Sequence, residues 1–250
     1  MPPEESPPSK SDFLTFLKTL PLSGPPGPLL EKLDQYRLEI IETNLKINLI
    51  SINDIPKLWG RHIQDALTPL QLFPELFSTG TPARWIDVGS GSGIIGMSLG
   101  IVYPTNQVTL LESVGKKQNF LCETVTKLSI HNITPILERS ETLARLPQHR
   151  LQYNSAFARA LAKPATALEL VLPFIQSGGH AFFWSSGPDW EDTARLSNIA
   201  KLLGCQLLAQ KPYLNSSDFI ARHITLFQRV APLDSQYPRI VGVPDKNPLK

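Results

Sequence analysis

The segment Asp87-Val88-Gly89-Ser90-Gly91-Ser92-Gly93-Ile94-Ile95-Gly96 constrains this chain more than any other, because it joins two apolar runs of different character. Arg84–Val88 reads as a buried strand and Ile94–Val102 as a helix, so the glycines fill a strand-to-helix turn. Glycine accepts the positive φ that such a turn needs and lets backbone approach a ligand closely, while the helix start beyond it offers free amides. Glu112 ends the next strand-like run, Gln107–Glu112, 23 residues after Gly89. A carboxylate there can accept hydrogen bonds from a ribose diol. Turn and carboxylate together describe a nucleoside pocket.

Gly91, Gly93 and Gly96 also satisfy the G-x-G-x-x-G fingerprint of dinucleotide sites. Spacing alone therefore leaves three readings open: S-adenosylmethionine, a nicotinamide or flavin dinucleotide, and a purely structural turn. Asp87, two residues before Gly89, favours the first. A carboxylate at the strand end suits a cationic sulfonium better than an anionic pyrophosphate.

Beyond the turn, strand-like and helix-like runs alternate. Strands are predicted at Ile133–Leu137, Ser155–Ala158 and His180–Trp184, with helices at Lys116–Leu128, Ala165–Ile175 and Trp190–Leu203. Such alternation builds parallel strands joined by right-handed crossovers. After Gly204 the helices stop, and Cys205–Tyr213 and His223–Val230 read as an antiparallel edge hairpin. The fold class that follows is α/β, a Rossmann-like, mostly parallel seven-stranded sheet with an antiparallel edge hairpin, as in class I S-adenosylmethionine-dependent methyltransferases. Upstream, Leu29, Leu30, Leu33, Tyr36, Ile40 and Ile41 mark an amphipathic helix, and a second is predicted from Ile55 to Phe73. Eight of the 23 prolines lie within the first 28 residues, and proline both fixes φ and removes an amide donor. Residues 1–28 are therefore expected to be a mostly flexible extension, without regular structure beyond the short apolar stretch Phe13–Leu20 and dispensable for folding, 29–80 an N-terminal helical subdomain, and 81–250 the Rossmann-like domain.

Composition narrows the class further. Hydrophobic residues at 42% and charged residues at 18% belong to an ordinary globular chain. A formal charge of +2 neither demands nor excludes a nucleic-acid partner. Cys122 and Cys205 are too few for a disulfide framework, and neither they nor the five histidines fall at metal-ligand spacing. No apolar run reaches the ~18 residues of a membrane span, and Met1–Ser11 lacks the basic-then-apolar order of a signal peptide. A cytoplasmic protein with no membrane and no metal partner is expected.

The chain resembles the ribosomal RNA small subunit methyltransferase G family, also called glucose-inhibited division protein B. The marks are Ile47-Asn48-Leu49-Ile50-Ser51, Arg61-His62-Ile63-Gln64-Asp65, the Asp87–Gly96 turn, Leu111-Glu112-Ser113-Val114-Gly115-Lys116-Lys117, Arg139-Ser140-Glu141, Ala158-Arg159-Ala160, and the tail Tyr237-Pro238-Arg239 through Gly242, Pro244 and Pro248-Leu249. The resemblance implies methyl transfer from S-adenosylmethionine to N7 of a guanine in 16S ribosomal RNA, near the decoding centre of the 30S subunit. It places Asp87, Gly89, Gly91, Gly93, Ile94, Glu112, Ser140, Glu141 and Arg159 at the cofactor. Arg159 would also position the substrate. Arg61, His62, Arg139, Arg239 and Lys246 become candidates for RNA contact. Arg61, His62 and Asp65 fit equally well as a polar network joining the helical appendage to the sheet.

One departure stands out. Where the family has Lys-Gly after the fifth strand, this chain has Ser185-Ser186-Gly187. Serine supplies no charge to a phosphate, which keeps open a non-catalytic or drifted RNA-binding protein. A dinucleotide-dependent reductase is the more distant alternative. Guanine N7 carries a free lone pair, so methylation there asks for alignment rather than a general base.

Overall fold

The computed structural model describes residues 8–77, 80–215 and 220–250. Seven strands form one sheet: β1 (Arg84–Val88), β2 (Gln107–Glu112), β3 (Ile133–Leu137), β4 (Tyr153–Arg159), β5 (Ile175–Ser185), β6 (Cys205–Leu214) and β7 (Ala221–Arg229). Their order is β3-β2-β1-β4-β5-β7-β6. The first five run parallel, and β7 is antiparallel to both β5 and β6. The chain winds outward from β1 to β3 in one direction and from β4 onward in the other. A crevice therefore opens at the carboxyl ends of β1 and β4, where ligands settle in doubly wound sheets.

Among the described residues, ten α-helices surround the sheet: α1 (Lys10–Leu17), α2 (Pro26–Asn44), α3 (Thr68–Leu72), α4 (Ile94–Val102), α5 (Gly115–Lys127), α6 (Ser140–Leu143), α7 (Pro164–Val171), α8 (Pro188–Glu191), α9 (Thr193–Leu202) and α10 (Val243–Lys246). Every residue of α4 is buried, which explains why its sequence lacks a polar face. Behind β5 and the hairpin, the buried Arg229 side chain donates to the carbonyls of Leu172, Ile175, Leu203 and Ala231. It satisfies helix-end and strand-end acceptors that would otherwise be stranded.

The N-terminal expectation is corrected for the residues described. The first seven lie outside the described residues, but Lys10–Leu17 forms α1 rather than flexible chain. Ser9 and Asp12 make a reciprocal capping box, with Asp12 N–H donating to Ser9 Oγ at 3.2 Å and Ser9 N–H donating to Asp12 Oδ2 at 2.9 Å. Phe13 and Leu17, four apart on one helix face, are fully buried, and Phe13 stacks on Trp59 with centroids 4.6 Å apart. Ser23 Oγ donates to the carbonyl of Val102 at 2.7 Å, tying the segment to the end of α4.

The helix expected from Ile55 to Phe73 is broken. A 3₁₀ stretch covers Ile52–Lys57, a wide π-type turn covers Leu58–Gln64, and α-helical backbone is confined to residues 65–66 and Thr68–Leu72. Pro56 and Pro69 interrupt the amide ladder. The division at residue 80 is also absent from the packing. Leu33, Tyr36, Ile40, Ile63 and Leu67 share one continuous hydrophobic cluster with Trp85, Leu110, Phe157 and Phe182 of the sheet.

Candidate active site

Gly89, Gly91 and Gly93 take φ values of 70°, 60° and 84°, which lets the chain double back from β1 into α4. The Gly89 and Ser90 amides donate to the Leu111 carbonyl at 2.8 and 2.9 Å, locking the turn to the end of β2. Gly91 N–H donates to Glu112 Oε2 at 2.8 Å, while Ser113 and Val114 N–H donate to Oε1, each at 2.8 Å. The carboxylate is thus oriented by three amides. Two of them occupy Oε1, so Oε2 keeps the lone pair for a ligand hydroxyl. From the other side, Tyr36 Oη donates to the Ser92 carbonyl at 2.8 Å and pins the turn to α2.

Two cavities flank this turn. One, about 430 Å³, is lined by Gly89, Glu112, Arg139, Ser140, Glu141 and Lys246 among others. The second, about 490 Å³, is lined by Arg61, His62, Asp65, Arg159, Trp190 and Arg222 among others. Both include Ala160, Leu161 and Ala162, the residues just after β4. Each is of small-molecule size, and they meet at the carboxyl end of the strand that carries Arg159.

Arg159 is the last residue of β4, and its side chain is held by Asp65. Nη1 donates to Asp65 Oδ2 at 2.7 Å, with Nη2 3.5 Å from His62 Nδ1. Asp65 is 3% exposed. Its Oδ1 also accepts from Tyr213 Oη at 2.7 Å and Asn215 Nδ2 at 3.0 Å, and its backbone carbonyl accepts from Trp184 Nε1 at 2.8 Å. The guanidinium is therefore fixed by a fully partnered carboxylate at one edge, and its other donors border the second cavity.

Asp87 lies beneath the turn, buried, and accepts the Gly96 amide at 2.9 Å through Oδ2. Burial pushes its carboxyl up to about 7, against the opposing pull of the Gly96 hydrogen bond and of the Arg159 charge. His62 moves the other way. Burial and the nearby Arg159 charge bring it down to about 4 despite Asp54 3.3 Å from its Nε2.

The expected site residues thus divide. Gly89, Glu112, Ser140 and Glu141 converge on the first cavity, with the Ser140 hydroxyl donating to the Leu170 carbonyl at 2.5 Å. Gly91 and Gly93 form the turn itself. Asp87 supports it from below and Ile94 is 4% exposed in the core, and neither is among the residues lining these two cavities. Among the RNA candidates, Arg61 faces the second cavity with Nε 3.4 Å from Asp54. His62 lines the same cavity, its imidazole brought down to about 4 by burial and by the Arg159 charge. Arg139 and Lys246 border the first cavity instead, with Arg139 Nη2 3.1 Å from Glu141. Arg239 lines neither cavity and is paired instead, Nη2 donating to Oε2 of the fully buried Glu169 at 2.6 Å. Sequence reasoning missed Asp54, Tyr213, Asn215 and Arg222, which reach the site only through tertiary contacts and carry no local motif.

A family model for rRNA small subunit methyltransferase G matches residues 29–206. The ribosomal RNA small subunit methyltransferase G of Roseiflexus castenholzii is 37% identical, covering 88% of this chain and 92% of its own length. The protein of the same name from Nostoc punctiforme is 32% identical, covering 84% and 86%. Among solved structures, a putative sarcosine dimethylglycine methyltransferase from Galdieria sulphuraria superposes with a TM-score of 0.51 at 11% identity, over 68% of this chain and 86% of that one. At that identity the likeness speaks for the fold alone.

Proposed function

The chain belongs to the rRNA small subunit methyltransferase G family, and we propose that it methylates N7 of a guanine in 16S ribosomal RNA with S-adenosylmethionine as donor. The observation that carries this reading is the junction of two cavities at Ala160–Ala162, with the glycine turn and Glu112 on one side and the Asp65-held Arg159 on the other. The first cavity fits the cofactor's chemistry. Glu112 retains an acceptor for a ribose hydroxyl, Glu141 keeps a buried Oε2 with no partner, and neither cavity carboxylate opposes a cationic sulfonium. When bound, S-adenosylmethionine supplies an electrophilic methyl group. The chain's own residues supply alignment. Attack by N7 releases no proton from the nucleophile, so orientation accounts for the rate advantage, which can reach about 7–11 kcal/mol. Arg159 is the orienting group, with guanidinium donors suited to guanine O6 or to a phosphate.

The test is methyl transfer to 30S subunits lacking the modification, with the product located by chain cleavage at N7-methylguanine. Absence of transfer by a protein that binds S-adenosylmethionine would favour the binding-protein reading that Ser186, at the rim of the second cavity, keeps open.

Gly91→Val tests the turn. An added Cβ at Gly91 meets nothing within 4 Å, so the expected damage comes from the φ of 60° and from the space a ligand needs. Strain of this kind amounts to about 1–3 kcal/mol. Calorimetry should find cofactor affinity lowered in a folded Gly91→Val protein, and unchanged affinity would remove the turn from the site.

Asp87→Asn tests the electrostatics. Between its ordinary 3.8 and about 7, the folded protein holds the Asp87 proton more tightly than the unfolded chain. The group's stabilising contribution is therefore present below pH 3.8 and lost as pH rises through 7. Asn keeps the acceptor for Gly96 without the charge. The variant should gain stability over the parent at pH 8 but not at pH 3.5, and should lose part of the preference for S-adenosylmethionine over S-adenosylhomocysteine, whose sulfur is uncharged. Parallel urea and binding titrations at the two pH values check both, and a pH-independent stability difference would refute the assignment.

A further inference from the structure

Of the chain's four tryptophans, three are built into the core. Trp59 stacks on Phe13, Trp85 packs edge-on against Phe77, Tyr103 and Phe157, and Trp184 donates its indole N–H to the Asp65 carbonyl. Trp190 differs. It is half-buried and forms part of the wall of the second cavity, the one that Arg159 borders.

Its placement is fixed from behind. After β5 ends at Ser185, Gly187 turns the chain with a φ of 83°, and the Trp190 amide donates to the Gly187 carbonyl at 3.1 Å. The Phe183 ring lies 5.4 Å from the indole, centroid to centroid. Gln210 Nε2 donates to the Trp190 carbonyl at 2.9 Å and to Thr225 Oγ1 at 3.0 Å, so the edge hairpin holds this turn at the strand end. A ring braced in this way has little freedom left to lose when a second ring settles on it.

The reaction proposed for this cavity moves a charge. As guanine N7 bonds to the methyl carbon, the electron pair of the carbon–sulfur bond leaves with sulfur. The positive charge passes from sulfur to the purine ring, and no proton moves. A group that favours a cationic purine over a neutral one lowers the barrier, because it binds the transition state more tightly than the substrate. The carboxylates on the cavity wall are already engaged, Asp65 by Arg159 at 2.7 Å and Asp54 by Arg61 at 3.4 Å. Phe183 and Trp184 also line the cavity but are buried in the core. The indole of Trp190 is left as the wall group that attracts positive charge, since an aromatic face favours a cation and indole does so most strongly.

We propose that Trp190 is the stacking platform for the target guanine, and that its indole face holds the base more tightly as the base becomes cationic. The inference deepens the functional reading above, on which it rests for the identity of the base and for the cavity it enters. Stacking carries no hydrogen-bond code. Trp190 therefore holds the face of the base while Arg159 orients its edge.

Titration calorimetry on the protein saturated with S-adenosylhomocysteine reads this preference without any turnover. The probes are guanosine monophosphate and its N7-methylated form, at mildly acidic pH, where the methylated ring keeps its N1 proton and its charge. The parent should bind the methylated nucleotide about tenfold more tightly. Trp190→Leu keeps an apolar side chain against Phe183 but removes the ring, and the preference should fall to about twofold or less. Trp190→Phe, a weaker cation acceptor, should keep an intermediate preference, and it decides the matter should the leucine variant fail to melt cooperatively. In single-turnover transfer to 30S subunits lacking the modification, Trp190→Leu should be slower by about tenfold, with S-adenosylhomocysteine affinity little changed. A parent that does not discriminate between the two nucleotides overturns the proposal. So does a preference that survives undiminished when the indole is replaced. Arg159→Ala separates the two levels. If it slows transfer while Trp190→Leu does not, the stacking inference alone falls. If neither variant slows transfer, the base enters elsewhere, and the reading of the second cavity falls with it.

Discussion

Phe13→Ala is expected to destabilise the protein by about 3–5 kcal/mol, the range for removing a fully buried aromatic side chain. Phe13 is 0% exposed, stacked on Trp59, and its helix neighbour Leu17 is equally buried. Trp59 in turn carries the Arg37 guanidinium 5.3 Å from its ring centroid, so the cavity would open beneath a cation–aromatic contact as well. Removing residues 1–25 should do at least as much harm, since Leu17 and Leu20 leave the core together with Phe13. Urea denaturation is the measurement. A midpoint for Phe13→Ala indistinguishable from the parent's would show that α1 contributes nothing to the fold. A shortened chain of unchanged stability would return this segment to the status of a dispensable extension.

Arg159→Ala should slow methyl transfer by about tenfold to a hundredfold while changing cofactor affinity little. That range corresponds to one charge-assisted hydrogen bond of about 1.5–3 kcal/mol made in the transition state. The reasoning is geometric. Asp65 fixes one edge of the guanidinium and leaves its remaining donors at the second cavity, whereas the glycine turn, Glu112 and Glu141 surround the first. Arg159→Lys restores the charge without the planar fork, so partial recovery is expected. Asp65 keeps Tyr213 and Asn215 in the alanine variant, which limits the structural damage. Single-turnover transfer to 30S subunits lacking the modification, beside S-adenosylhomocysteine binding, gives both readouts. Near-parental transfer would remove Arg159 from the mechanism. A loss confined to affinity would move it to the cofactor.

The elements from β1 to β5 were legible because each is set by local pattern. Arg84–Val88 and Gln107–Glu112 match the strands residue for residue, and Ile94–Val102 matches α4. A buried parallel strand needs an apolar run, and a strand-to-helix turn of positive φ needs glycine, so both requirements are written in adjacent residues. The place of Arg159 was legible for a related reason, since it follows the strand expected at Ser155–Ala158, and the carboxyl end of a parallel strand is the edge where ligands bind.

The sequence by itself determined the alternating α/β order, the glycine turn, Glu112 at the end of β2 and the family motifs that place the chain among its relatives. Tertiary structure alone decided which charges are available and which are spent. Arg239 and Lys246 are both basic residues of one tail, yet one locks onto buried Glu169, 70 residues away in sequence, and the other lines the cavity that contains Glu112 and Glu141. Asp65 gathers Arg159 from 94 residues away and Asn215 from 150. The proline count at the N-terminus likewise hid a capping box and an apolar face that only Trp59 makes useful. Hydrogen bonds within a strand-turn-helix unit follow from neighbours along the chain. The state of a charged or apolar side chain depends on the partner that folding brings to it, which no local pattern encodes.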